Sequence, residues 1–231
     1  MGDYADFCEM YGGSAGDPDF MDDWLEEHAV PNDLEDDEEL EWYLNDAKQS
    51  PYELLNEQLN NIDTLLEVDV PESAQFSLFV MLHAHVVSAM EGYLAGVFIQ
   101  YVTNSDELTR KLVETAPEFS QRKFTLQEIY EKQSMLKTIV ATYLKDLIFH
   151  DLKKIKPMYK AVLGHEFKDI SWLFEAVRVR HDCVHRAGYD KEGKKVDISK
   201  ASIMELLNKV ESLSTELDDT VEKLIIDGVI T

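Results

Sequence analysis

Positive charge is scarce in this chain. Its 231 residues include 22 Lys and Arg against 46 Asp and Glu, a formal net charge of −24. A surface that acidic is not built to coat nucleic acid. Cysteine is scarcer still. Cys8 and Cys183 are the only two, which gives neither a disulfide framework nor a zinc-ligand spacing. We read both as reduced thiols of a cytosolic protein. The N-terminus, MGDYADFCEM, lacks a basic segment followed by an apolar run, so no secretory signal is expected. Ten glycines and six prolines are few breakers for this length, and they leave long stretches open to helix. The most apolar stretch, residues 74–102, carries Gln75, His83, His85, Glu91 and Gln100. A membrane span tolerates such residues poorly, so a buried core helix is expected and no membrane.

The charge is unevenly spread. Residues 1–47 hold 17 Asp and Glu and no Lys or Arg, whereas the remainder holds 29 acidic and 22 basic residues, a net of −7. The chain therefore divides into an acidic N-terminal arm, 1–47, and a helical domain, 48–231. The arm contains the breaker cluster GGSAGDP and two short stretches that could be helical, FMDDWLEEHAV and DLEDDEELEWYLNDA. It reads either as a solvated tail that docks weakly or as a charge mimic of nucleic acid lying over a basic site.

From Ser50 the pattern is regular. Ser50, Pro51 and Glu53 form an N-cap, N1 and N3 set, and Leu55, Leu59, Ile62 and Leu66 make one apolar stripe. A nearly all-apolar helix follows, of the kind found in the middle of a bundle. Ser105 caps a shorter helix, and Thr125 with Glu128 forms a capping box for the next. Pro157 should kink or break the following segment, which ends at Gly164, a C′ glycine. The next helix stops at Gly188, YDKEGKKVDIS is a hairpin-like loop, and an amphipathic helix closes the chain. No internal repeat is evident. The expected class is all-α, a bundle of about five or six helices.

One stretch breaks the shortage of cations. VRVRHDCVHRAG, Val177 to Gly188, holds three of the five arginines and two of the seven histidines. On a helix, Ile170, Leu173, Phe174, Val177 and Val184 share a stripe roughly 100° wide with His181, and Arg180 and His185 border it about 140° apart. His181 is thus expected in the packed face, with Arg180 and His185 flanking it as a cradle for an anion. The Arg-x4-His spacing alone is cheap. Five arginines and seven histidines in 231 residues give about 0.15 such pairs by chance at one gap, so context must carry the motif.

That context is a resemblance. RHDCVHRAGYDKEGKKVDIS resembles the common bacterial version of the HEPN family, all-α domains of which many are metal-independent ribonucleases with an R-x4-6-H motif. Arg180-His181-Asp182, Val184-His185-Arg186, a glycine-bearing loop and an isoleucine-serine lead into the last helix. SAMEGYLAGVFI resembles the family's central helix, with Glu91 and Tyr93-Leu94 in a frequent pattern. The resemblance covers roughly residues 75–225 and leaves the arm out. It implies a homodimer whose motif helices face each other across the two-fold axis, forming one cleft. It also implies RNA as substrate, no metal and no cofactor, a toxin or phage-defence setting, and an antitoxin or regulatory partner.

Arg180 and His185 are the catalytic candidates. His185 has an intrinsic pKa suited to proton transfer near neutrality, and Arg180 offers a planar fork for phosphate oxygens. In a dimer the second His185 takes the opposite proton-transfer role. Arg178, seven residues before His185, stands in support. His181 and Asp182 either orient neighbours or are ordinary satisfied polar residues. Glu91 either holds an arginine fork in place or makes a plain structural ion pair.

Other features carry less. His83 and His85, two apart on a helix, face different ways and read as satisfied core histidines. Cys183 lies off the apolar stripe. Phe76, Phe79, Tyr93, Phe98 and Tyr101 read as core, and Lys153, Lys154 and Lys156 as a solvated helix face. Ala187 stands two residues after His185, where some toxin members carry a regulatory tyrosine; the nearest here is Tyr189. Two rival functions keep the same residues: a non-catalytic HEPN module that binds nucleotide, RNA or protein, and a helical adaptor whose acidic arm binds a basic partner.

Overall fold

A computed structural model describes residues 50–120 and 135–230. The arm, with Cys8, and the Thr125–Glu128 capping box lie outside them. About three quarters of the described residues are helical and none forms a strand. The helices run α1 (Pro51–Leu66), α2 (Glu72–Thr103), α3 (Asp106–Thr115), α4 (Pro117–Ser120), α5 (Leu136–Lys145), α6 (Leu152–Val162), α7 (Ser171–Arg186) and α8 (Lys200–Ile226). The class is all-α. The described residues alone form eight helices, against the expected five or six. One of the eight, α4, is a single turn, and a turn at 146–151 separates α5 from α6.

Local chemistry sets most boundaries. Ser50 accepts from the Glu53 N–H and Glu53 reaches back to the Ser50 N–H, closing the box that starts α1. Ser105 caps α3 through the Leu108 N–H, and Ser199 with Ser202 forms a second box at the start of α8. Gly164, with φ +69°, follows the end of α6 as its left-handed residue.

Pro157 does not break α6. The helix passes through it because Pro157 lies on the exposed side, where water can serve the carbonyl one turn back that loses its donor.

α2 is the hub. It packs against α1, α3, α5, α7 and α8. By length and composition it could cross a membrane; here Val86, Val87, Met90, Leu94, Phe98 and Ile99 are buried among its neighbours. The Tyr93 hydroxyl donates to the Ser214 carbonyl of α8 at 2.9 Å, and the Tyr159 hydroxyl of α6 donates to the Leu94 carbonyl at 2.6 Å. Both phenols sink into the bundle with their one polar atom satisfied.

Candidate functional site

α7 crosses α2, and its packed face decides which motif residues point inward. Leu173, Ala176, Asp182 and Cys183 are buried. Phe174 is 45% exposed, Val184 52%, and His181 and His185 also face outward. The buried face is thus rotated by about 120° from the stripe expected from the sequence. His181 does not sit in the packed face. The apolar residues on its side of α7, Phe174 and Val184, belong to a surface that the other described residues leave uncovered.

Arg180 leans the other way, towards α2. Its side chain is 25% exposed, and its Nη2 stands 3.8 Å from Oε2 of Glu91, itself only 15% exposed. That separation is an ion pair without a hydrogen bond. Among the described residues, Nε of Arg180 and Oε1 of Glu91 are buried with no hydrogen-bond partner. Nδ1 of His150, from the turn between α5 and α6, lies 3.4 Å from that Glu91 oxygen. Three elements therefore bring a guanidinium, a carboxylate and an imidazole together.

The other two motif arginines are tied down. Arg178 grips Glu175 with two donors, its Nε at 2.9 Å from Oε2, so it pairs with Glu175 rather than Glu91. Arg186 donates to the buried Asp182, which Arg178 also approaches at 3.8 Å. Asp182 thus holds cations in place. Among the described residues, Arg180 is the motif arginine whose side chain makes no hydrogen bond.

His181 and His185, one turn apart, lie against each other with ring centroids 4.5 Å apart and planes tilted by 45°. Loss of hydration, then the positive neighbours His185, Arg186 and Lys191, hold the His181 imidazole below the ordinary histidine value, with Asp182 pulling the other way. Within one chain Arg180 and His185 diverge by about 140° around the helix: Arg180 inward against Glu91, His185 outward beside His181.

The end of α7 is closely packed. Ala187 and Gly188 adopt consecutive left-handed conformations, φ 52° and 84°, and the Gly188 N–H closes on the Asp182 carbonyl at 3.0 Å. A Cβ on Gly188 would come within 2.4 Å of Val80 and 2.9 Å of Phe76. Only glycine satisfies both the dihedral and the contact. The following loop is the expected hairpin, joined by one antiparallel bridge between Tyr189 and Lys195.

The remaining candidates separate cleanly. His83 is a satisfied core histidine, bonded to the Ala176 carbonyl at 3.2 Å. His85 is not: it is exposed and bonds Gln58, because a residue two positions on faces away from the core. Cys183 is buried at 5% exposure, and burial, then Asp182, pushes its thiol up to about 11, which makes it a poor nucleophile. Tyr93 and Phe98 are core, whereas Phe76, Phe79 and Tyr101 are half-buried. Lys153, Lys154 and Lys156 are exposed, as a solvated face requires.

Sequence reasoning missed His150, which no spacing links to Glu91, and Lys191. For Lys191 a signal existed: the KEGKK tip follows the motif directly. Among the described residues no group of three or more His, Cys, Asp or Glu side chains converges as a metal site. Two shallow clefts of about 160 and 190 Å³ flank Trp172, and neither includes Arg180, His181 or His185. Comparison with known proteins finds no matching family, no matching curated protein and no matching solved structure.

Proposed function

We propose that the chain is a HEPN-like RNA endonuclease that acts as a homodimer in the cytosol, in a toxin or phage-defence setting. The observation that carries this reading is the partition of α7. Arg180 is poised inside without a hydrogen bond to Glu91, while the two histidines and the apolar residues Phe174 and Val184 stand outside. A second copy docked on that outer face would cover the apolar surface and bring two His185 side chains to one cleft. His185 of one copy takes the proton of a ribose 2′-hydroxyl, and the freed oxygen attacks the adjacent phosphorus. Arg180, a quarter exposed and without a hydrogen bond to Glu91, turns towards that cleft to hold the phosphate oxygens as charge builds. The second His185 gives a proton to the departing 5′-oxygen, so the products end in a 2′,3′-cyclic phosphate and a 5′-hydroxyl.

The test is RNA cleavage by full-length protein bearing Arg180→Ala or His185→Ala. Either change is expected to lower the rate about a hundred- to thousandfold with the dimer intact by light scattering. Cleavage at the parent rate would overturn the assignment. A second reading, a non-catalytic HEPN module that binds nucleotide, RNA or protein, is favoured by one observation: Glu91 already sits opposite Arg180 as its counter-ion. Parent protein that binds RNA without cutting it would select that reading.

A further inference from the structure

The loop after α7 is better built than a solvated charge run. Asp190 accepts from the backbone N–H groups of Glu192 and Lys194 at 2.9 and 2.8 Å, and the Asp190 N–H donates to the Lys194 carbonyl at 2.8 Å. The Val196 N–H closes on the Gly188 carbonyl at 2.9 Å. At the bridge, Tyr189 and Lys195 are directly opposite, and such pairs project to one side. Both reach Phe76: the Tyr189 ring meets it edge-on at 6.1 Å, and Nζ of Lys195 stands 4.5 Å from its centroid. Phe76 is a half-buried footing for an aromatic that remains 39% exposed.

Charge concentrates in the same place. Residues 178–195 hold six Lys and Arg against three Asp and Glu, a local excess of cations in a chain of net charge −24. Two of the three acids are spent within the site: Asp182 binds Arg186, and Asp190 binds the turn. Lys191 and Lys194 are exposed and, among the described residues, in no ion pair. The loop leaves directly from the motif helix, where the Gly188 N–H bonds the Asp182 carbonyl at 3.0 Å and the Tyr189 N–H the Arg186 carbonyl at 3.1 Å. The loop tip and the motif histidines thus lie within electrostatic reach of one another.

Single-stranded RNA is recognised by this combination, cations along the backbone and an exposed ring for an unstacked base. We infer that the Tyr189–Lys195 loop is the docking strip for single-stranded RNA beside the motif: Lys191 and Lys194 hold backbone phosphates, and Tyr189, footed on Phe76, stacks one base flanking the cleaved phosphodiester. This rests on the ribonuclease reading above, and it assigns to that site a substrate path and a strandedness.

Binding of a fluorescein-labelled single-stranded RNA of mixed sequence to the full-length protein, read by anisotropy across a salt series in a His185→Ala background, tests it. The Lys191→Ala/Lys194→Ala pair should raise Kd about tenfold and make the salt dependence shallower by one to two phosphate contacts. Tyr189→Phe should bind within about twofold of the parent, whereas Tyr189→Leu, which keeps an apolar cover on Phe76 without a stacking face, should lose about tenfold. Glu192→Lys should tighten binding. Parent-like Kd in the lysine pair and in Tyr189→Leu, with Arg180→Ala still abolishing cleavage, overturns the docking strip and leaves the ribonuclease reading standing. Parent protein that neither binds nor cuts single-stranded RNA overturns both.

Discussion

Gly188 and Ala187 are neighbours with one backbone conformation and opposite consequences. Gly188 has no room for a side chain, since an added Cβ would press on Val80 and Phe76. Gly188→Ala should therefore cost about 2–4 kcal/mol of unfolding free energy, from the positive φ together with overpacking. Ala187 carries its Cβ at φ 52°; its N–H bonds the Asp182 carbonyl, a bond that glycine would keep while removing the roughly 1 kcal/mol this conformation costs an L-residue. Ala187→Gly should be neutral to stabilising by up to about 1 kcal/mol. Urea unfolding of the two variants checks the sign of each, and equal destabilisation by both would refute the argument. Gly188 as a stop was readable from sequence, because a glycine after a cationic last turn is local chemistry. Its fit under Phe76 and Val80 was not, because that contact joins α2 to the end of α7. The approach of His150 to Glu91 was hidden for the same reason.

At the scale of elements, two buried histidines tie helices together. His83 on α2 bonds the Ala176 carbonyl of α7, and His165, after α6, bonds Thr220 of α8 at 2.9 Å. Burial lowers both imidazoles below the ordinary value, with a partial opposing effect from the Ala176 bond for His83 and from Glu216 for His165. The unfolded chain therefore binds protons at these positions before the folded one does. Stability is retained above the unfolded value of about 6.5 and falls as pH drops through it. The urea midpoint should decrease from about pH 7.5 to about pH 5.5, and a His83→Gln/His165→Gln variant should show a smaller decrease over that window. An identical slope in the variant would remove both groups from the account. Asp218, whose carboxyl burial raises, acts lower, in the carboxylate range.

Helix boundaries were the most legible level. The Ser50 box, the Ser105 cap and Gly164 all stand where short-range chemistry put them. The rotation of α7 was not legible. Phe174, Val177 and Val184 are apolar, and the wheel assigns all apolar residues to the protein's own core. It has no means of knowing that Leu173, Ala176 and Cys183 already fill the contact with α2.

For the whole molecule, the side of α7 that the other described residues leave uncovered is where the proposed dimer would form. Phe174→Glu and Val184→Glu alter exposed positions and should leave stability within about 0.5 kcal/mol of the parent. If two copies meet there, each change should shift the mass in light scattering from dimer to monomer and abolish RNA cleavage with it. A parent protein that is already monomeric would remove the dimer, and variants that stay dimeric would place the interface elsewhere. The buried thiol on the opposite side of the same helix gives this question a clock. With Cys8→Ser as background, Cys183 is the sole sulfhydryl. Disulfide reagents such as Ellman's compound can reach it only when α7 lifts off α2. The rate at which colour develops in native buffer is then a direct count of those excursions, and RNA or a second protomer clamped across the helix would slow it.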